Sequence, residues 1–161
     1  SAQTTDRQVN GVTGALFKKY PDFASLGLAR LADVESIIRS TGFYHVKAKN
    51  IIGLAQTVTA EHDGRLPSTR EELVRLPGIG RKSANVILSM GFDTPALAVD
   101  THIIRIAGRL AYTGSRDPLE VERALISLIP ERLWKLSHLL LIRHGRTLCT
   151  ARKPLCGSTP A

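Results

Sequence analysis

The sequence predicts an all-α protein. Apolar residues recur at intervals of three and four through most of the 161 residues, and no stretch alternates between apolar and polar residues as a half-buried strand would. Asp117-Pro118 adds a helix-start signal, a preferred N-cap residue followed by proline at the first helical position. We expect one compact unit covering 1–161, because a chain of this length can bury on the order of 70% of its unfolded surface.

Apolar stripes define the predicted helices in chain order, and each would give a helix one face to pack against its neighbours. None approaches the roughly 20 apolar residues of a membrane span, and no signal peptide is visible, so we expect an intracellular protein. The stripes are Val9, Val12, Leu16; Val34, Ile37, Ile38; Ile51, Leu54, Ala55, Val58; Ala84, Ile87, Leu88, Met90; Leu125, Leu128, Ile129; and Leu133, Leu136, Leu140.

Residues 68–92 predict two helices joined by a tight turn. The segment Ser68–Glu71 has the pattern of a capping box, so a short helix should run from about Thr69 until Pro77 ends it. Gly78 and Gly80 allow positive φ and close approach of another backbone.

A second helix should start near Arg81, directly after the turn. The exposed amides of the turn would then lie at the positive end of this helix, where a phosphate binds favourably. Taken alone, the pattern also fits an ordinary helical hairpin with a surface lysine.

The charge balance agrees with a phosphate-binding surface. Twenty-two Lys and Arg residues against fourteen Asp and Glu give a net charge of +8. This excess is typical of proteins that bind a nucleic-acid backbone, and it predicts salt-sensitive binding.

Lys82 and Asp100 are the candidate catalytic residues, 18 positions apart. A lysine amine attacks only when it is unprotonated. We expect partial burial, Arg81 and the positive helix end to favour that form. Asp100 would stabilise an oxocarbenium-like transition state, as carboxylates do in glycosyl transfer. Because Asp is also a favoured N-cap residue, capping alone could explain Asp100.

The segment Leu76–Leu110 resembles the helix-hairpin-helix and Gly/Pro-Asp loop of the endonuclease III family, with that loop and its following helix at about 93–110. The similarity extends to Ser1–Asp6, Thr41–Asn50 and Ile142–Arg146, and so covers essentially the whole chain. It implies a multi-helix glycosylase fold.

The resemblance also implies an activity. Related glycosylases that only release the base lack a lysine at the position of Lys82. Its presence implies a bifunctional glycosylase and abasic-site lyase that acts on oxidised or damaged pyrimidines through a Schiff base. The implied partner is double-stranded DNA with damaged bases or abasic sites, bound by a monomer.

Further DNA contacts follow from the same resemblance. Gln3 matches a glutamine that fills the gap opposite the orphaned base, and Phe43 matches an intercalating wedge, for which apolar side chains are suited. Packing of Phe43 in the core after Gly42 is the alternative. His102 is expected to be structural or to face DNA, and Lys47 is expected to be a solvated helix charge. The remaining implied DNA-binding residues are Tyr44, Pro77, Gly78, Ile79, Gly80 and Arg81.

Cysteines in the tail, about 145–161, match part of the family's iron–sulfur motif. Cys149 and Cys156 match the first two of four ligands, Thr159 stands at the third position, and the sequence ends before a fourth. Because such clusters normally need four thiolates, we expect no cofactor on this chain as given, and a [4Fe–4S] cluster only in a complete parent protein. The family's N-terminal helices also have no counterpart here, which should expose apolar surface.

Three functions therefore stay open. The first is the bifunctional glycosylase and lyase. The second is a catalytically inactive or truncated DNA-binding module. The third is an enzyme of the same fold with another specificity, such as pyrimidine dimers.

Overall fold

The structure, a computed structural model, describes residues 4–155. These residues form helices and connecting segments without a strand, which confirms the all-α prediction. The chain divides into two compact units, Ser1–Ile79 and Gly80–Ala161, whereas the helix pattern predicted one unit. The division falls inside the predicted hairpin. Within residues 4–155, no helix is both long and apolar enough to cross a membrane.

The first unit is built around its longest helix, against which two shorter helices pack. Its first two helices begin at capping boxes, in which Thr5 pairs with Gln8 and Asp22 with Ser25. A cluster of buried apolar residues, including Leu16, joins the first four of the helices of this unit. The helices are α1 (Asp6–Lys19), α2 (Phe23–Gly27), α3 (Leu31–Ile38), α4 (Tyr44–Glu61) and α5 (Arg70–Leu73), with a 3-10 turn at Arg39–Thr41.

The second unit packs one helix against two others. The predicted cap at Asp117 is confirmed, because its carboxylate accepts hydrogen bonds from the amides of Leu119 and Glu120 at 2.9 and 3.0 Å. Ile103 and Leu125 lie in its buried apolar cluster. The helices are α6 (Arg81–Gly91), α7 (Thr101–Arg109), α8 (Pro118–Leu128) and α9 (Trp134–Thr147), with a 3-10 turn at Glu131–Leu133.

Helix α5 begins one residue later and ends earlier than predicted. Its N-cap is Thr69, whose hydroxyl accepts a hydrogen bond from the Glu72 amide, and not Ser68. The reason is that the sequence satisfies the capping pattern twice in adjacent registers, at Ser68–Glu71 and at Thr69–Glu72.

Three predicted apolar stripes were wrong in part. On α6, Met90 is exposed and the buried face carries Asn85 and Ser89 beside Ala84 and Leu88. The predicted stripe residues Leu128, Leu136 and Leu140 are also exposed.

On α9 the buried residues are His138 and Gly145. A Cβ on Gly145 would lie 2.9 Å from Ile106 Cδ1. Close approach of α7 to a glycine therefore selects which face of α9 is covered, and no hydrophobicity pattern records that.

Candidate functional site

The hairpin turn uses its two glycines differently. Gly78 has a φ of +77°, and a Cβ there would lie 2.9 Å from the Cβ of Asn50. Gly80 has a φ of −92°, so the prediction of positive φ was wrong for this residue. Among the described residues, no atom lies within 4 Å of the position its Cβ would take. Gly78 is thus required by the fold, whereas Gly80 leaves open space at the N-cap of α6.

Lys82 is the second residue of α6 and is exposed. The expected partial burial of its side chain was wrong. Within residues 4–155, its amine has no hydrogen bond or salt bridge. Because α6 begins at Arg81, Lys82 lies in the first turn of that helix.

Arg81 is held by Glu122 of α8. Its Nε and Nη2 donate to the two carboxylate oxygens of Glu122, each at 2.8 Å, and the Glu122 side chain is only 5% exposed. A bidentate pair of this kind largely cancels the charge of the guanidinium. The expected influence of Arg81 on Lys82 is therefore weakened, and its predicted DNA contact stays a prediction.

Asp100 is the N-cap of α7, as its capping alternative predicted. Its Oδ1 accepts a hydrogen bond from the Ile103 amide at 2.9 Å. Its other oxygen accepts no hydrogen bond from residues 4–155. A catalytic role would therefore use a different oxygen from the cap, and the two roles do not exclude each other.

The segment that leads to Asp100 is held from two helices. Asn85, one turn after Lys82 on α6, donates from Nδ2 to the Leu97 carbonyl at 3.0 Å. His138 of α9 has its Nδ1 2.8 Å from the Ala98 carbonyl. These contacts tie the helix of Lys82 and the loop of Asp100 together inside the second unit.

The electrostatics of His138 connect it to both candidate catalytic residues. Burial lowers the pKa of His138. The hydrogen bond to Ala98 and the negative charge of Asp100 oppose this change, and the positive charge of Lys82 adds to it. Lys82 and Asp100 therefore both lie within electrostatic reach of one buried imidazole.

In the first unit, the turn before α4 presents Phe43 to solvent. Phe43 has a φ of +47°, which is uncommon for a residue other than glycine, and its side chain is 67% exposed. The alternative that Phe43 packs in the core was wrong. Tyr44 begins α4 half-buried, 6.0 Å from the Arg39 guanidinium.

Lys47 is not the freely solvated charge that we expected. Its Nζ donates to the Thr41 carbonyl at 2.7 Å, and burial lowers the pKa of the amine. Because Thr41 lies two residues before Phe43, this contact braces the turn that presents the aromatic ring.

The other predicted DNA contacts have mixed outcomes. His102 is half-buried on α7, with its Nδ1 3.2 Å from the Arg105 guanidinium, which fits its structural alternative. Gln3 lies outside the described residues. Pro77 and Ile79 are half-buried in the turn.

A cavity of about 530 Å³ lies between α7 and residues 113–116. Arg105, Arg109 and Arg116 contribute to its lining, but neither Lys82 nor Asp100 does. It is therefore distinct from the candidate catalytic residues.

The described part of the tail contains one of the two cysteines that match the iron–sulfur motif. Cys149 is buried, and its Sγ accepts a hydrogen bond from Arg109 at 3.1 Å. Cys156 lies outside the described residues, and Thr159 replaces the third thiolate of the motif. Because such clusters normally need four thiolates, the expected absence of a cluster stays a prediction.

Four residues that bear on the site escaped sequence reasoning: Asn85, Glu122, His138 and the bracing role of Lys47. His138 left one signal, a single histidine within the apolar run of α9. Asn85 and Glu122 contact residues that are distant in the sequence, and the contact of Lys47 depends on the turn before α4. No local sequence pattern therefore marks these three residues.

Comparisons with known proteins agree with this geometry. Residues 1–131 match the family described as HhH-GPD superfamily base excision DNA repair protein. The chain is 48% identical to endonuclease III of Synechocystis sp. over 158 residues, covering 98% of this chain and 72% of that protein. It is 43% identical to endonuclease III of Bacillus subtilis over 161 residues, covering 99% and 74%.

Solved structures give the same result. The structure of a trapped endonuclease III–DNA covalent intermediate, an estranged-adenine complex, matches with a TM-score of 0.95 and 43% identity, covering 99% of this chain and 76% of that one. The resemblance in the sequence motifs is thereby confirmed. The chain belongs to the HhH-GPD superfamily of base excision DNA repair proteins.

Proposed function

We propose that this chain is a bifunctional DNA glycosylase and abasic-site lyase in which Lys82 is the nucleophile and Asp100 the supporting carboxylate. The observation that carries the proposal is an exposed lysine amine, without a salt bridge in residues 4–155, in the first turn of α6. Asp100 belongs to the same compact unit. Asn85 ties the helix of Lys82 to the segment that carries Asp100.

The Lys82 amine can perform both steps. Its lone pair bonds to the sugar C1′ while the glycosidic bond breaks, and the base leaves with that electron pair and takes up a proton. Opening of the sugar ring then gives a Schiff base between Nζ and C1′. Loss of a C2′ proton expels the 3′ phosphate by β-elimination, and water releases the amine.

Asp100 is suited to stabilise the positive charge that develops on the sugar. The α7 cap uses Oδ1, while the second oxygen accepts no hydrogen bond from residues 4–155. An ionised carboxylate fixed by one oxygen and open at the other is preorganised, which is the arrangement that lowers a charged transition state.

DNA would be held by backbone at the hairpin and by side chains at the α4 turn. Open space at Gly80, at the N-terminus of α6, permits a phosphate to approach the backbone closely. The exposed Phe43 is suited to enter a base step. We infer a monomer acting on oxidised or damaged pyrimidines in duplex DNA, and hence at the bacterial nucleoid.

We further propose that this chain holds no [4Fe–4S] cluster, since Thr159 replaces one thiolate. Iron and acid-labile sulfide in the purified protein would be measured. Stoichiometric amounts of both would overturn this proposal.

The test of the activity is borohydride trapping on a duplex with one abasic site. We expect a covalent adduct from the parent and from Lys49→Ala, a control at another exposed lysine, and none from Lys82→Ala. A folded parent that binds the duplex but gives no adduct would favour an inactive DNA-binding module. A panel of duplexes with oxidised pyrimidines or pyrimidine dimers then separates the two glycosylase specificities.

A further inference from the structure

His138 is a buried ionisable residue near the candidate catalytic pair. Its side chain lies on α9, and the residue is only 5% exposed. Its Nδ1 lies 2.8 Å from the Ala98 carbonyl. A carbonyl oxygen can only accept, so Nδ1 carries the proton and donates.

The contact lies on a segment that has no secondary structure of its own. Residues 96–99 are buried, between the end of α6 and the N-cap of α7. Buried backbone groups need hydrogen-bond partners, and here two successive carbonyls find them in side chains. Leu97 is held by Asn85 and Ala98 by His138.

This arrangement determines where Asp100 can lie. Ala98 precedes Asp100 by two residues, and the carboxylate itself is fixed to the start of α7 through the Ile103 amide. A shift of the Ala98 carbonyl would therefore move the backbone that carries the carboxylate. Charge stabilisation and nucleophilic attack are both sensitive to displacements of about 1 Å.

We propose that His138 is a positioning residue for the glycosylase and lyase reaction. It holds the Ala98 carbonyl and thereby keeps Asp100 where the developing charge of the sugar requires it. It acts through Asp100 and does not contact the DNA. This proposal rests on the proposed function, and the parent protein in the experiment below tests that function separately.

The experiment compares His138→Leu, which removes the donor, with His138→Asn, whose amide nitrogen occupies the place of Nδ1. The control is Trp134→Phe, because Trp134 also lies on α9 and also donates to a backbone carbonyl at 2.8 Å, that of Ile129. Single-turnover rates of Schiff-base trapping would be measured on an abasic duplex. Affinity would be measured on a duplex with an uncleavable abasic analogue.

We expect His138→Leu to lower the trapping rate by roughly 10- to 100-fold, the effect of a misplacement of about 1 Å, with unchanged affinity. His138→Asn should recover most of the rate, and Trp134→Phe should lose stability but keep the rate. An unchanged rate in His138→Leu, or an equal loss in Trp134→Phe, would overturn the proposal. If the parent protein itself gives no trapped adduct, that result contradicts the proposed function and not the role of His138.

If His138→Leu does not fold, His138→Gln replaces it. The glutamine amide reaches one bond further than Nδ1 and so displaces the carbonyl. We expect it to react more slowly than His138→Asn at equal stability. Equal rates for the two variants would also refute the positioning role.

Discussion

Three matched proteins can separate the capping role of Asp100 from its proposed catalytic role. In the parent, the backbone N–H of Ile103 donates to Asp100 Oδ1 at 2.9 Å. The side-chain oxygen of Asp100→Asn can accept the same hydrogen bond, since Asn and Asp cap helices about equally well. Only the favourable effect of a negative charge at the helix start is lost, about 0.3–1 kcal/mol of unfolding free energy. Asp100→Ala loses the cap as well, at a further cost of about 1 kcal/mol.

The catalytic effect should follow the charge and not the cap. Removing one electrostatic stabiliser typically costs on the order of 10²–10³ in rate, so both variants should trap abasic DNA at least 100-fold more slowly. Urea denaturation would give the unfolding free energies, and single-turnover borohydride trapping the rates. A rate loss in Asp100→Ala together with a near-parental rate in Asp100→Asn would contradict a catalytic role for the carboxylate, because capping alone would then explain Asp100.

Three further predictions follow from the same contacts. Gly78→Ala should cost roughly 1–2 kcal/mol of stability for its left-handed φ. Gly80→Ala should cost less, at most about 1 kcal/mol for a poorer N-cap, and should weaken duplex binding. Unchanged binding would contradict a phosphate site at Gly80. Lys47→Met removes the donor that braces the Phe43 turn and should lower stability by about 1 kcal/mol and slow base release, measured on a damaged duplex. Because burial lowers the pKa of His138, the unfolded chain binds this proton first, so stability should fall as pH drops below about 6.5. The stability of His138→Asn should fall less over the same pH range. An identical pH dependence of stability in the parent and in His138→Asn would contradict a lowered pKa of His138.

Sequence reasoning succeeded where the cause is local. Asp117 and Asp100 cap the helices that they were predicted to start, since a cap depends only on three or four neighbouring residues. The start of α6 at Arg81 follows from the proline and glycines just before it. Phe43 was ambiguous in sequence because a wedge and a core residue have the same chemistry, and only its exposure separates them.

The errors have physical reasons as well. Met90 is exposed and Asn85 buried because the carbonyl of Leu97 needs a donor, and this need depends on a segment 12 residues away. Similarly, α9 turns Gly145 and His138 inward because α7 approaches it closely and Ala98 needs a partner. The spacing of apolar residues along the sequence does not reflect either requirement.

The sequence alone predicted the helical class, the hairpin with its glycine turn, and the types of residue proposed for the chemistry, an amine and a carboxylate. These depend on short-range patterns and on side-chain chemistry. The packing of the helices, in contrast, determines that Glu122 holds Arg81, that Lys82 is exposed, and that His138 and Asn85 hold the segment before Asp100. The contacts join residues 12 to 41 positions apart, so they form only when the helices come together. The exposure of Lys82 likewise results from packing.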